Sequence, residues 1–221
     1  MEILIFLPVL LFSVVVHEVA HALVAKWEGD PTAERLGRIT LNPIPHLDLV
    51  GSLIVPLVLF FLPGNFIFGW AKPVPVNPNN FRDYRRGDIR VSLAGITANL
   101  GLAVLCMVLL GVLLKVGGAG GPQGGPPGGV LGVLQAAAYF GLFINLILAV
   151  FNLIPLPPLD GSHVVYHLLP QPLADRYRAM GRYGILILMG LVFFFPGGIR
   201  VLLWPVEYLM GLAEGLIRLW L

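Results

Sequence analysis

Three long apolar runs constrain this chain more than any other feature in it. Residues 3–26, 91–116 and 130–154 are each long enough to cross a bilayer as a helix rising about 1.5 Å per residue. Backbone placed in hydrocarbon must satisfy its own hydrogen bonds, so such runs read as membrane helices. The composition agrees: 57% of residues are hydrophobic and 12% charged, against roughly 25% charged in an average soluble chain, and mean hydropathy is +0.86. The expected fold is an all-α polytopic membrane protein. A formal net charge of +2 is too small to argue for a nucleic-acid partner. The single cysteine, Cys106, lies in an apolar run and has no second cysteine to bridge to.

The first run carries an anomaly. Its stretch "SVVVHEVAHALVA", residues 13–25, holds His17, Glu18 and His21, and ionisable side chains inside a membrane segment are costly and mark function. The three fit H-E-x-x-H. On a helix the two histidines share one face and can ligate one zinc ion, with the glutamate beside it as general base. A catalytic zinc wants a third protein ligand. The residues alone leave His46, His163, His167, Asp48 and Asp160 open. Asp160 stands out because it follows a proline-stiffened turn closing the third run, with Gly161 next to it to allow a sharp bend. The same position also suits an ordinary helix N-cap.

Between the runs the chain is irregular. Residues 28–48 are polar and broken by proline, and "RLGRITLN" alternates as a short strand pair would. Residues 49–62 are apolar but short and interrupted by Pro56, so the region 49–80 is expected to be re-entrant or interfacial. The Pro- and Asn-rich stretch 63–90 reads as non-helical and ends in Arg82, Arg85, Arg86 and Arg90. Ala94, Gly95, Ala98 and Gly101 follow helical spacing and suit close helix packing. An uncharged Gly/Pro linker fills 117–129. Residues 163–182 look like interfacial helix pieces, and 183–196 with 199–220 like a C-terminal helical pair. The expected organisation is a core over 1–168 followed by C-terminal helices over 169–221. The N-terminal segment carries Glu2 and no Lys or Arg, so it reads as a retained span rather than a cleaved signal. Basic residues follow spans one and three and precede span two, which puts those ends on the cytoplasmic side. The ends of spans one and three are therefore expected at one membrane depth.

H-E-x-x-H in a first span, paired with "NLIPLPPLDG" (residues 152–161) closing a later one, resembles the site-2 protease family of intramembrane zinc metalloproteases. "GWAKPVPVNPNNFRDYRRGD" (69–88) and "SLAGITANL" (92–100) resemble its compact prokaryotic branch, which lacks PDZ and CBS domains. The resemblance covers most of residues 10–165. It implies that His17, His21 and Asp160 ligate one zinc ion and that Glu18 activates water. It further implies a transmembrane protein as substrate, cut near the cytoplasmic face, and a multi-pass protein of a prokaryotic cell membrane. Asn152 would hold the substrate backbone or the tetrahedral oxyanion, although an amide there can equally make a helix–helix hydrogen bond. Lys72 lies in a loop resembling the one beside the family's active site, where an extended backbone can pair with an unwound substrate. His46 is a candidate for a place near the metal or the substrate, against a plain surface-loop histidine. Asn99 and Asn145 read as packing amides, and His163 as a satisfied interfacial histidine. Ile96 departs from the proline common after the Ala-Gly pair.

Two other functions compete. A different membrane zinc hydrolase would take a downstream glutamate as third ligand, but Glu28, Glu34, Glu207 and Glu214 lack the context that Asp160 has. A metal transporter or zinc-stabilised scaffold would carry more ionisable residues along its spans.

Overall fold

The computed structural model describes residues 2–54, 71–117, 129–194, 197–219 and 221. Helix α1 (Glu2–Glu28) is followed by the single-turn α2 (Thr32–Arg35), a 3-10 turn at Ile44–His46 and a π-helical turn at Leu49–Ile54. A second 3-10 turn, Pro78–Asn80, leads into α3 (Tyr84–Gly117) and α4 (Val130–Leu153). Four helices complete the chain: α5 (Gly161–Leu168), α6 (Gln171–Ala179), α7 (Gly181–Phe194) and α8 (Gly198–Arg218). No strand occurs among the described residues.

By length and apolarity α1, α3 and α4 can each cross a membrane. They pack on one another, and α4 is the most enclosed, with 44% of its most apolar stretch buried against 17% in each of the others. The outward faces of α1 and α3 present Leu4, Leu7, Phe12, Val104, Leu105 and Val112, as lipid-facing surfaces do. Helix α8 covers the far side of α3 and α4, where Val206, Met210 and Ala213 join Ala103, Leu142 and Leu146 in one apolar cluster.

Three expectations are corrected. The second span is longer than its apolar run, because Asp83 starts the helix early. The Asp83 carboxylate accepts from the Arg86 amide at 3.0 Å and its carbonyl from Gly87 at 2.8 Å, so Arg85, Arg86 and Arg90 ride the first turns of α3 instead of an irregular loop. "RLGRITLN" forms no strand pair. Its start is drawn into α2, closed by Arg35 N–H to Pro31 O and Arg38 N–H to Ala33 O, both 2.9 Å. Among the four small residues of α3, Gly101 is exposed with nothing near it, whereas Gly95 lies at the centre of the molecule. Of the region 49–80 expected to be re-entrant or interfacial, residues 55–70 lie outside the described residues, as does most of the Gly/Pro linker.

The ends of the three long helices meet on one side. Arg90 Nη1 donates to Glu28 Oε1 at 2.8 Å, and the Arg82 amide to the Glu28 carbonyl at 2.9 Å. Asp30 is the hub of the connecting segments and is 0% exposed. Its carboxylate accepts from the Thr32 amide (3.1 Å) and hydroxyl, the Asn77 amide (2.7 Å) and Asn80 Nδ2 (2.7 Å). Burial alone would raise its pKa, but these hydrogen bonds outweigh it and hold the carboxyl below the usual range. Asp30→Asn should therefore cost about 2 kcal/mol at neutral pH. A carboxyl depressed in the folded state stabilises above its unfolded pKa, about 3.9, and loses that contribution as pH falls through the lower folded value. Thermal unfolding in detergent should show the gap between variant and wild type closing only below about pH 4.

Candidate active site

His17 and His21, one turn apart on α1, both face α3. Their rings lie 4.5 Å apart and nearly perpendicular, with Nε2 atoms 3.0 Å from each other. Asp160 Oδ2 stands 3.3 Å from both of those nitrogens. Among the described residues this is the one group of three or more His, Cys, Asp or Glu side chains whose ligating atoms converge within 4.8 Å.

The chemistry of these atoms suits a cation. His21 Nδ1 lies 2.7 Å from the Val91 carbonyl, which can only accept, so Nδ1 carries the proton and Nε2 presents a lone pair. His17 Nδ1 lies 2.6 Å from Asn99 Oδ1, with the same result. Asp160 Oδ2 is buried and makes no hydrogen bond. Three lone-pair atoms thus point at one another in a largely buried place, which is unfavourable unless a positive charge lies between them. Zinc bonds of about 2.0–2.1 Å at tetrahedral angles set neighbouring ligands about 3.3 Å apart, matching the observed spacing.

Local sequence explains the convergence. Gly95 of α3 sits directly under the two imidazoles, where a Cβ would fall 2.5 Å from His21 Nε2 and 2.6 Å from His17 Nδ1. Only glycine lets the rings settle onto that helix. The turn after α4 is closed by Leu156 N–H to Ile154 O and Leu159 N–H to Leu156 O, both 2.8 Å, and it delivers Asp160 to the position just before α5. There Asp160 has ordinary helical backbone angles and its side chain caps nothing, turning to the histidines instead. Gly161 serves close approach rather than an unusual bend, since a Cβ would overlap the Leu153 carbonyl and lie 3.0 Å from Ile154 O. Helix α5 is pinned to α3 by Asp88, whose Oδ2 meets His163 Nδ1 at 3.0 Å and His167 Nε2 at 2.7 Å. His163 is thus a satisfied residue that fixes the helix carrying Asp160.

Glu18 lies on the next face of α1, half-buried, and its Oε2 accepts from the Val74 amide at 2.8 Å. Val74 belongs to a segment, residues 71–77, that forms neither helix nor strand. Lys72 takes part through its backbone: its amide donates to the His46 carbonyl at 2.9 Å, and its carbonyl accepts from Arg38 Nη2 at 2.7 Å. The Lys72 side chain is exposed. His46 is not a surface histidine. It is 1% exposed, with Nε2 3.0 Å from the Thr40 carbonyl, and it supports the segment from behind. Asn152 is half-buried and donates Nδ2 to the Leu148 carbonyl of its own helix at 2.9 Å. The reading of Asn99 and Asn145 as packing amides missed their link to His17. Asp88, Val91 and Gly95 also gave no catalytic signal, because two act through backbone geometry and one through its pairing across helices.

A multi-pass helical protein with two histidines on a membrane-capable helix, an aspartate brought against them and a glutamate beside them has the donor set of a membrane zinc hydrolase. Comparison with known proteins agrees. The model for "Peptidase family M50" matches residues 128–192. The chain is 38% identical over 199 residues to "Putative zinc metalloprotease YwhC" of Bacillus subtilis, covering 89% of this chain and 83% of that protein. It is 33% identical over 162 residues to "Putative zinc metalloprotease Rip2" of Mycolicibacterium smegmatis, covering 73% of this chain and 56% of that one. Against the protein of the same name from Mycobacterium tuberculosis H37Rv it is 31% identical over 187 residues, covering 84% and 65%. No solved structure matches. The chain belongs to peptidase family M50, the site-2 protease family.

Gly95→Ala tests the cradle. The substitution favours helix by about 1 kcal/mol, so the circular-dichroism spectrum should be unchanged. Zinc affinity, read by competition with a chelator, should fall at least about tenfold; wild-type affinity would show that the rings do not need this gap.

Proposed function

We propose that this protein cleaves a transmembrane segment of a substrate protein near the cytoplasmic face, with His17, His21 and Asp160 as zinc ligands and Glu18 as general base. The observation that carries the reading is the meeting of Asp160 Oδ2 with both imidazoles at 3.3 Å, one residue from a carboxylate held by the Val74 amide. The chemistry supplied by zinc held there is Lewis-acid polarisation of water and of the scissile carbonyl. Glu18 takes the proton of the attacking water, then hands it to the amide nitrogen as the C–N bond breaks. The Val74 N–H holds Oε2 and thereby orients the carboxylate for that transfer. Asn152, released from Leu148, donates to the oxyanion.

A helical peptide bond is shielded by its own hydrogen bonds and must be drawn out before attack. Segment 71–77, which carries Lys72 and forms neither helix nor strand, supports this step because in an extended form it can align beside a substrate strand. His46 and Arg38 hold the segment from the other side. The lysines and arginines around residues 26–38, 72 and 82–90 favour the cytoplasmic orientation.

Purified protein and a model transmembrane substrate test the reading. Glu18→Gln should lower cleavage by about 10³-fold with zinc content unchanged, and mass spectrometry of the products should place the cut in the cytoplasmic third of the substrate span. Asp160→Ala should lose both zinc and activity. Cleavage persisting in Glu18→Gln, or zinc persisting in Asp160→Ala, would overturn the assignment.

A further inference from the structure

Behind the metal-facing histidine, three helices place a closed chain of polar groups in an otherwise apolar interior. Asn99 of α3, Asn145 of α4 and Ser13 of α1 are 0%, 1% and 1% exposed. Asn99 Nδ2 lies 2.7 Å from Asn145 Oδ1 and 3.4 Å from the Ser13 carbonyl. Asn145 Nδ2 lies 2.9 Å from Ser13 Oγ and 2.8 Å from the Gly141 carbonyl. Ser13 Oγ lies 2.8 Å from the Val9 carbonyl.

The ends of this chain fix its direction. A backbone carbonyl only accepts. The Val9 carbonyl therefore takes the Ser13 hydroxyl proton, leaving Ser13 Oγ to accept from Asn145. The Gly141 carbonyl likewise demands the NH₂ end of Asn145, so the Asn145 oxygen faces Asn99. The NH₂ end of Asn99 must then face Asn145 and the Ser13 carbonyl, and its oxygen must face His17 Nδ1. An acceptor at Nδ1 requires a proton there, so Nε2 of His17 is left as a lone pair toward Asp160 and His21. Every donor and acceptor agrees with one polarity, and reversing any amide would set two carbonyl oxygens against each other in a buried site.

We infer that Asn99, Asn145 and Ser13 form a positioning relay that locks His17 as the Nδ1–H tautomer and so prepares its Nε2 to ligate metal. The inference rests on the zinc reading of the site and adds three residues to it. None of them touches substrate. Asn99 orients His17 directly, while Asn145 and Ser13 act through Asn99 by denying its amide the alternative orientation. Partners behind a metal-bound histidine commonly set its affinity for the metal by 10- to 100-fold. Here the partner is a neutral amide held in place by two others, which orders the imidazole without adding charge to a membrane interior.

The test uses the full-length protein in detergent, stripped of metal and titrated with zinc against a competing chelator. Asn99→Leu, close to isosteric, should weaken zinc binding by about 10- to 100-fold. Asn145→Leu should weaken it by at least about threefold, although that residue contacts neither histidine, and helical content should stay at the wild-type level in both. Zinc affinity within twofold of wild type in Asn99→Leu and Asn145→Leu would overturn the relay. Nitrogen-15 NMR of the metal-free protein gives a second reading: the His17 signal, identified by its loss in His17→Ala, should report a proton on Nδ1. The opposite tautomer would overturn the relay. Undiminished zinc binding by His17→Ala would instead overturn the zinc reading on which the relay depends.

Discussion

The approach of the Asp160 carboxylate to two imidazoles one helical turn apart is the constraint around which the molecule is arranged. Buried charge and unpaired polar atoms are expensive in a membrane interior, so each ligating group is held by something that offsets its cost. The two Nδ1 atoms are tied to α3 through Asn99 and Val91, and Asp160 is carried by a short helix tied to the same α3 through Asp88. A single long helix therefore references all three converging side chains, although it contributes none of them. Gly95, in the middle of that helix, removes the one side chain that would keep the rings away.

The chemistry was far more legible in the sequence than its scaffolding. His17, Glu18 and His21 follow from their spacing, and Asp160 from a proline-rich turn of recognisable form. Such features are local, so a linear reading finds them. The contributions of Val91 and Gly95 are a carbonyl and an absence of atoms, and neither leaves a residue-type signal. Asn99 and Asn145 were visible as amides inside spans, yet only the packing of three helices shows that they point at one histidine. The early start of α3 was hidden by the arginines, because Asp83 as a capping residue outweighs the polar composition of that first turn. His46 was left open for a related reason: a proline-broken loop suggests surface, but this one folds beneath the segment that approaches Glu18.

The polar groups of the interior fall into two circuits with different roles. One, running from Ser13 to His17, is neutral, fully enclosed and directional. The other, Asp88 with His163 and His167, lies at the helix ends, and His163 is partly exposed. The first circuit orients His17, and the second attaches the helix that follows Asp160.

Segment 71–77 is fastened on both sides of its contact with Glu18. Arg38 and His46 secure Lys72, Asp30 secures Asn77, and between them the Val74 amide grips Glu18. Glu18 thus hangs on the middle of a strap held at both ends, so any displacement of that strap reaches its carboxylate.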